Sequence, residues 1–466
     1  MQRTYLWGRW SPARVIAVAF AATIAVGTVA LHTPWASAGQ QLSWLDALFT
    51  ATSATCVTGL VVVDTGSALS LGGQTIVLAL IQIGGLGIMT LSTLALVLMG
   101  KRLRLRHRMV VADGLSPDGA PDLRAVILHV MVMTAAFELV GTILLAWRWP
   151  ADSVLAALGA SLFHAISAFN NAGFSLMSNS LTGFQHDTAI NLTVMALIIA
   201  GGLGFPVISE LASLLRPRRK RHRVMLTLHT KVVLAVTSAL LLLGTAAIYL
   251  LEANGALAHL SASDRLMAAA FQAVTPRTAG FNTIPIAGLH AATLFVIVLL
   301  MFVGGSPGST AGGVKTTALG TLIAFVWSRA RGRESVDLFR RTIAEADVRR
   351  AVTVIFAAAT ALVVAISIFL VTEGAAGPAV VRAPAAVSAS AEESQLFIEL
   401  VFESVSALST VGLTTGVTPT LSAPGRLLII LLMFAGRIGP LTLAVALGQV
   451  RSRGAYRYPE ERVLVG

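Results

Sequence analysis

Four short segments rich in aromatic and hydroxyl residues each end at a glycine and recur at comparable intervals along the chain. They read LFTATSATCVTGL (48–60), LFHAISAFNNAGF (162–174), AFQAVTPRTAGF (270–281) and VFESVSALSTVGL (401–413). Such self-similarity indicates one repeated module with connecting loops of variable length. If four such loops met at one axis, their carbonyl oxygens could replace the water shell of a cation. Glycine suits this position because it reaches backbone angles closed to other residues and keeps Cβ out of a narrow pore.

A single segment of this kind is ordinary small-residue packing in a membrane helix. Four in matching context favour an ion pathway. The residues predicted to line it are Val57, Thr58, Gly59, Asn171, Ala172, Gly173, Thr278, Ala279, Gly280, Thr410, Val411 and Gly412. Hydroxyls are predicted to hold these loops by hydrogen bonds from behind, at Thr55, Thr58, Ser167, Thr275, Thr278, Ser409 and Thr410. Asn170 and Asn171 are expected to support or line the second loop, and the guanidinium of Arg277 to hold carbonyls or point outward.

Long apolar stretches flank each segment and must position it. The chain of 466 residues is 55% hydrophobic and 12% charged, with a mean hydropathy of +0.79, whereas soluble domains carry about 25% charged residues. This excludes an ordinary cytosolic enzyme and indicates a polytopic membrane protein. The paired stretches are 13–32 and 72–100, 125–147 and 187–215, 226–251 and 288–328, 351–372 and 424–449.

The segments between these stretches leave room only for short helices, at 43–55, 153–169, 262–275 and 394–408. A helix of that length cannot cross a hydrocarbon core of ~30 Å, so each must enter and leave on one side. The predicted fold is an all-α polytopic membrane protein with eight transmembrane helices. Four helix, pore-helix-loop, helix repeats would surround a pseudo-fourfold pore, at 1–108, 109–223, 224–346 and 347–466.

The formal charge of +12 is unevenly placed along the chain. Most lysines and arginines fall between apolar runs or at the ends, in 1–14, 101–108, 216–223, 329–350 and 451–462. Basic loops stay on the cytoplasmic side of membranes, which predicts cytoplasmic N- and C-termini in a multi-pass protein of the cell membrane. Nucleic-acid binding is not expected, since no soluble basic domain exists to present such a surface; the expected surroundings are membrane lipid.

Two features within the apolar stretches are costly. Six helix breakers fall in 304–313, which predicts a loop at mid-membrane beneath the pore loops; a packing kink would explain only one or two of them. Arg437 costs at least ~2.5 kcal/mol at the bilayer centre unless it faces water or a partner. Two interpretations stay open: it faces the pore and repels cations, or it forms a structural ion pair. Candidate partners are Glu138, Glu210, Glu399 and Glu403.

Other chemistries find no support in the sequence. The single cysteine, Cys56, cannot form an intrachain disulfide. Metal-ligand spacings, a nucleophile triad and a phosphate-binding loop are absent, so the chain is not expected to be an enzyme or to hold a cofactor. The GlyGlyLeuGly runs at 84–87 and 201–204 are interpreted as close-packing surfaces within spanning helices.

Taken together, these residues resemble the Trk/Ktr/HKT superfamily of potassium transporters, and within it the Ktr membrane subunit. The phrases that carry the resemblance are TCVTGLVVVDTG (55–66), SAFNNAGFSL (167–176), TPRTAGFNT (275–283), STVGL (409–413), GGSPGSTAGGVKTT (304–317) and AGRIGPLTL (435–443). The resemblance implies a potassium filter whose glycines are Gly59, Gly173, Gly280 and Gly412. It further implies a homodimer on a cytoplasmic ring of nucleotide-binding, RCK-type regulatory subunits, with the nucleotide on that partner.

The resemblance also implies a gate in the mid-membrane loop. Its residues would be Gly304, Gly305, Ser306, Pro307, Gly308, Ser309, Thr310, Ala311, Gly312 and Gly313, with Lys315 and Arg437. Glycine rather than serine at position 59 favours potassium over sodium among these relatives. Cys56 departs from the family, which more often has a hydroxyl residue there.

The function predicted from the sequence is potassium uptake across the cell membrane. The alternative is a sodium-selective or sodium-coupled secondary transporter with a mid-membrane substrate site. A membrane scaffold or receptor would leave the repeated loops unexplained.

Overall fold

The computed structural model describes residues 12–100, 123–215, 226–375 and 389–439. Within these ranges the chain is mainly helical. Its α-helices are α1 (Pro12–Leu31), α2 (Trp44–Thr55), α3 (Thr65–Ala68), α4 (Leu71–Gly100), α5 (Leu123–Ala146), α6 (Val154–Phe169), α7 (Thr188–Leu203), α8 (Phe205–Leu215), α9 (Leu228–Leu251), α10 (Ala262–Val274), α11 (Ala291–Phe302), α12 (Thr316–Ala330), α13 (Glu345–Ala375), α14 (Ala389–Leu408) and α15 (Ala423–Ile438). Two short antiparallel strands, β1 (Asp337–Leu338) and β2 (Arg341–Thr342), pair between α12 and α13.

Five described helices, α1, α4, α5, α9 and α13, are long and apolar enough to cross a membrane, and α7 with α8 makes a sixth if the bent pair counts as one span. That pair bends by 105° at Gly204. In the third repeat the second apolar stretch is divided into α11 and α12, as the breakers predicted. In the fourth, α15 is described as far as Ile438, and the rest of the stretch to 449 lies outside the described residues. The arrangement is compatible with eight crossings.

The four helices that precede the ring glycines are α2, α6, α10 and α14. Three of them, α2, α6 and α14, lie against the helices before and after them in the chain, and α10 lies against α9 and α7. Three begin at a serine whose side chain accepts a hydrogen bond from the backbone three residues on: Ser43, Ser153 and Ser261. Such caps satisfy amides that the first turn leaves unpaired. These three helices match their predicted bounds closely, whereas α14 starts at Ala389, five residues before the predicted 394.

The second helix of three repeats meets the carbonyl end of the short helix through a glycine. A Cβ added to Gly84 or Gly201 would lie 1.9 Å from the carbonyl oxygen of Thr55 or Phe169, the last residues of α2 and α6. At Gly436 the distance to the Leu408 oxygen, at the end of α14, would be 1.8 Å. Only glycine permits this approach. The predicted close packing is thus observed at Gly84 and Gly201 but not at Gly87, which has nothing within 4 Å of an added Cβ. Gly204 ends α7 instead of continuing it.

Polar contacts tie the end of α9 to the start of α11. Glu252, which ends α9, is fully buried and accepts hydrogen bonds from the backbone N–H and Nδ1 of His290 (2.9 and 3.1 Å) and from the Thr293 hydroxyl (2.6 Å). Burial pushes the pKa of the Glu252 carboxyl up, but these bonds and that from the Ala256 amide outweigh it and hold the pKa below its usual value. Glu252 therefore anchors the start of α11 to the end of α9.

Candidate cation pathway

Backbone conformation repeats at the four predicted glycines. Gly59, Gly173, Gly280 and Gly412 all have positive φ, at 93°, 70°, 79° and 89°. The residue two places earlier is also left-handed in every case: Val57 at 54°, Asn171 at 60°, Thr278 at 70° and Thr410 at 52°. Non-glycine residues adopt this region at a cost of about 1–3 kcal/mol and persist there only when their surroundings enforce it. The same strained turn is therefore built four times.

The glycines of the first and second repeats each abut the next segment in chain order. A Cβ built on Gly59 would lie 2.3 Å from the carbonyl oxygen of Ala172. One built on Gly173 would lie 2.7 Å from the carbonyl oxygen of Ala279. Neither position has room for a side chain, so the backbones of the first three segments are in direct contact.

The glycines of the third and fourth repeats complete the cycle of contacts. A Cβ on Gly280 would meet the Val411 carbonyl oxygen at 2.7 Å, and one on Gly412 would meet the Thr58 carbonyl oxygen at 2.0 Å. The last contact returns from the fourth segment to the first. The four glycines thus encircle a shared centre in the order one, two, three, four, which is the arrangement that a ring of lining carbonyls requires.

Hydroxyls at one equivalent position hold the turns from behind. The hydroxyl of Ser53 accepts from the amide of Gly59 at 3.1 Å, and that of Ser406 accepts from the amide of Gly412 at 3.1 Å. In the second and third repeats the corresponding Ser167 and Thr275 donate to the carbonyls that follow the glycines, those of Phe174 and Phe281.

The predicted set of supporting hydroxyls was only partly right. Ser167 and Thr275 act as expected, but the hydroxyls of four others have no hydrogen-bond partner among the described residues: Thr55, Thr58, Thr278 and Thr410. Ser53 and Ser406 were missed. Aligning the four segments on their glycines places both at the position of Ser167, a signal already present in the sequence.

Asn171 and Asn170 link the second segment to its neighbours. The Asn171 amide donates to the carbonyl oxygen of Arg277 at 3.2 Å, which ties the second turn to the third. Asn170 donates to Gln82 (2.8 Å) and Glu138 (3.0 Å), outside the ring. The guanidinium of Arg277, although its residue is only 5% exposed, donates no hydrogen bond to the described part of the chain, so it does not hold neighbouring carbonyls.

The loop between α11 and α12 is fastened to the break in the second repeat. Its backbone amides at Ser306 and Thr310 donate to the carbonyls of Gly202 (3.0 Å) and Gly201 (3.3 Å). In return, the Phe205 amide, just beyond the break, donates to the carbonyl of Gly308 at 3.0 Å. The loop therefore lies in the opening between α7 and α8.

The same loop also contacts the second and fourth ring segments, at the points where α6 and α14 end. The Thr310 hydroxyl donates to the carbonyl of Phe169, at the end of α6, at 3.3 Å. A Cβ on Gly312 would lie 2.1 Å from the Thr410 hydroxyl and 2.7 Å from the Ser409 carbonyl oxygen. The loop spans the space between the second and fourth segments, on the side where the short helices end.

Two basic side chains hold this loop. Buried Arg437 donates to the carbonyls of Thr310 and, at 3.1 Å, of Gly84. Half-buried Lys315 donates to the carbonyl of Ala311 at 2.6 Å. Both side chains donate their hydrogen bonds to backbone carbonyl oxygens, either of the loop or of α4 beside it.

The ion-pair interpretation of Arg437 is wrong for the four candidate carboxylates. Glu138 bonds to Gln82 and Asn170, and Glu210 to the hydroxyls of two threonines at the start of α9. Glu399 bonds to Gln395, while Glu403 bonds to threonines that follow the fourth segment. Two Arg437 nitrogens, Nη1 and Nη2, donate instead to backbone carbonyls, which no sequence pattern displays, while its buried Nε has no partner among the described residues.

Comparison with known proteins agrees with this geometry. The sequence matches the model of the TrkH cation transport protein family over residues 13–452. It is 38% identical to Ktr system potassium uptake protein B of Bacillus subtilis over 463 residues (99% of this chain, 98% of that protein), and 36% identical to the Vibrio alginolyticus protein of the same name over 456 residues (97% and 94%). The crystal structure of the potassium transporter TrkH from Vibrio parahaemolyticus matches with a TM-score of 0.73 at 17% identity, covering 96% of this chain and 87% of that one.

The fold and the ring define an integral membrane transport protein with re-entrant helices. The chain belongs to the TrkH cation transport protein family. The predicted fold class and the resemblance to Trk and Ktr proteins are confirmed. So is the prediction that the chain is not an enzyme, because its relatives are ion transporters.

Proposed function

We propose that this protein takes up potassium across the cell membrane through the ring at Gly59, Gly173, Gly280 and Gly412. The observation that supports this most directly is the closed order of contacts among those glycines, each with positive φ. A potassium ion would exchange its water for the carbonyl oxygens of the lining residues. The relatives at 36–38% identity are named potassium uptake proteins.

The repeats 1–108, 109–223, 224–346 and 347–466 would each supply one quarter of the ring. The carbonyl ends of the short helices face the loop side of the ring, where their partial negative charge favours cations. Cytoplasmic N- and C-termini follow from the basic segments, because loops of that charge remain inside. The pathway would then run from the segments that follow the ring glycines, through the ring, to the loop.

The loop at 304–313, with Lys315 and Arg437, would act as the gate. It is fixed to the second repeat by backbone bonds and lies against the fourth segment at Thr410. The loop thus lies on the side of the ring where the short helices end, and the side chains of Lys315 and Arg437 donate hydrogen bonds to it. Opening requires these bonds to break together, which makes the loop a two-state element.

The control of this gate would come from outside the chain. Relatives bear the name of a Ktr system, and we infer a homodimer on a cytoplasmic ring of RCK-type subunits that bind the nucleotide. The chain itself would need no cofactor. The sodium-coupled alternative receives less support, because broken-helix transporters of that class are built on inverted or two-fold repeats, whereas four successive segments form this ring.

Uptake of radioactive rubidium into proteoliposomes tests the proposal. Purified protein, its regulatory partner and nucleotide would be present together, with potassium, sodium and choline as competitors. We expect rubidium uptake that potassium inhibits and that sodium inhibits far less, with choline inert. Uptake that requires sodium would favour the coupled transporter, and absence of rubidium flux would reject the proposed function.

A further inference from the structure

One position behind the ring carries a different polar residue in each repeat. It follows a buried phenylalanine in all four short helices and points away from lipid, since its residues are at most 2% exposed. The four residues are Thr50, His164, Gln272 and Glu403. The segment that follows each ring glycine is called here its outer limb; the limbs of the second, third and fourth repeats begin at Phe174, Phe281 and Leu413.

Glu403 holds the outer limb of the fourth repeat. Its carboxylate accepts hydrogen bonds from the hydroxyl of Thr414, from the amide of Thr415 at 3.1 Å and from the hydroxyl of Thr418 at 2.7 Å. All three donors lie within six residues of Gly412. Three hydrogen bonds therefore converge on one buried side chain, which ties the start of the fourth limb to α14.

His164 does the same in the second repeat. Its Nδ1 lies 2.8 Å from the carbonyl oxygen of Ala160 and therefore carries the proton. Its Nε2 then accepts from the Ser175 hydroxyl at 3.1 Å and from the Leu176 amide at 3.4 Å. The imidazole also packs against the tilted ring of Trp149, with ring centroids 4.4 Å apart and an interplanar angle of 38°, which helps to keep it directed at the limb.

The other two repeats lack this connection. The hydroxyl of Thr50 and both amide atoms of Gln272 are buried and have no hydrogen-bond partner within the described ranges. The third limb is instead attached to the second, through the amide of Asn282 and the hydroxyl of Ser180 at 3.2 Å. Because the ring runs one, two, three, four, the two supported limbs stand diagonally opposite each other.

We propose that Glu403 and His164 are positioning residues for ion selectivity, a pair of diagonal struts that keep the ring from closing around an ion smaller than potassium. This rests on the proposed function above. A carbonyl cage discriminates between alkali ions through its size and the number of its dipoles. Both depend on the limbs staying at a fixed distance from the centre of the ring. With either strut removed, its limb relaxes inward and sodium is coordinated almost as well as potassium.

Rubidium uptake under sodium competition tests the struts. The variants are Glu403→Ala and His164→Ala, with Thr50→Ala and Gln272→Leu as controls at the equivalent positions without a strut. We expect each strut variant to raise the KM for rubidium about tenfold and to strengthen inhibition by sodium about tenfold, which is the effect of losing one or two hydrogen bonds. The maximal rate of uptake should stay within about twofold of the parent protein. The control variants should stay within about twofold of the parent protein. Glu403→Gln should recover part of the selectivity, because its amide oxygen still accepts from Thr415.

Other outcomes would overturn the proposal. Parental selectivity in Glu403→Ala and His164→Ala, or an equal loss in the controls, would show that the struts do not set selectivity. Should Glu403→Ala elute as aggregate, Thr414→Val with Thr418→Val removes the two hydroxyl bonds from the limb side, leaves that of the Thr415 amide, and must reproduce most of the loss. If the parent protein itself takes up no rubidium, the proposed function fails instead, so the two failures are distinguishable.

Discussion

Arg437 in α15 donates a hydrogen bond to the carbonyl oxygen of Gly84 in α4, 3.1 Å away. The same guanidinium donates to Thr310 in the loop. One side chain thus joins the fourth repeat, the first repeat and the loop, and its charge sits beneath the ring. Under the proposed function, a fixed cation there would oppose cation entry, while its bonds would keep the loop in place.

Replacing Arg437 with Gln is expected to raise rubidium flux in the absence of the regulatory partner about tenfold or more, because the barrier charge and one clamp on the loop are removed together. Proteoliposome uptake without partner and nucleotide measures this. Arg349→Gln is the control, since Arg349 forms an exposed pair with Glu345 and such pairs contribute little. Unchanged flux and gating in the Arg437 variant would eliminate its role as barrier.

Alanine at Gly412 is expected to reduce potassium-sensitive uptake at least tenfold. The new Cβ would stand 2.0 Å from the carbonyl oxygen of Thr58, and the φ of 89° is strained for any side chain. The ring must distort at the contact that closes it. Gly288→Ala, where nothing lies within 4 Å of the added atom, should transport normally. Normal selectivity in Gly412→Ala would mean that the ring is not the site of ion binding.

Alanine at Gly312 should have the opposite effect on flux. Its Cβ would meet the Thr410 hydroxyl at 2.1 Å, so the loop is pushed away from the fourth segment while the ring glycines are untouched. We expect uptake without partner to rise severalfold and rubidium selectivity to persist. A comparison of uptake with and without the regulatory subunit checks this. Reduced flux would show that the loop supports the ring instead of obstructing it.

Stability should depend on pH through Glu252. The pKa of its carboxyl is held below the ordinary value, so its contribution is fully present above the unfolded pKa of about 4.3. That contribution is lost as pH falls through the lower folded pKa. Thermal unfolding of detergent-solubilised protein from pH 7 towards pH 3 should show Glu252→Gln less stable at pH 7, with the difference shrinking below pH 4. A constant difference across this range would contradict the assignment.

The sequence by itself determined the membrane-bound character and singled out the four glycines whose backbones meet. These follow from local features: apolar run length, clustered charge and a glycine recurring in one context, all of which depend on near neighbours in the chain. The breakers at 304–313 were visible for the same reason, since proline and glycine act on their own turn of helix.

Only the tertiary structure decided which groups meet. The hydroxyls of Thr55, Thr58, Thr278 and Thr410 do not support the turns, because the direction a hydroxyl faces depends on how its segment is packed. Pro206 disfavours a continuous helix beyond Gly204, but that the freed Phe205 amide donates to the loop's Gly308 is visible only in the folded chain. Arg437 finds carbonyls on α4 and on the loop, groups that every residue possesses and that only folding can single out.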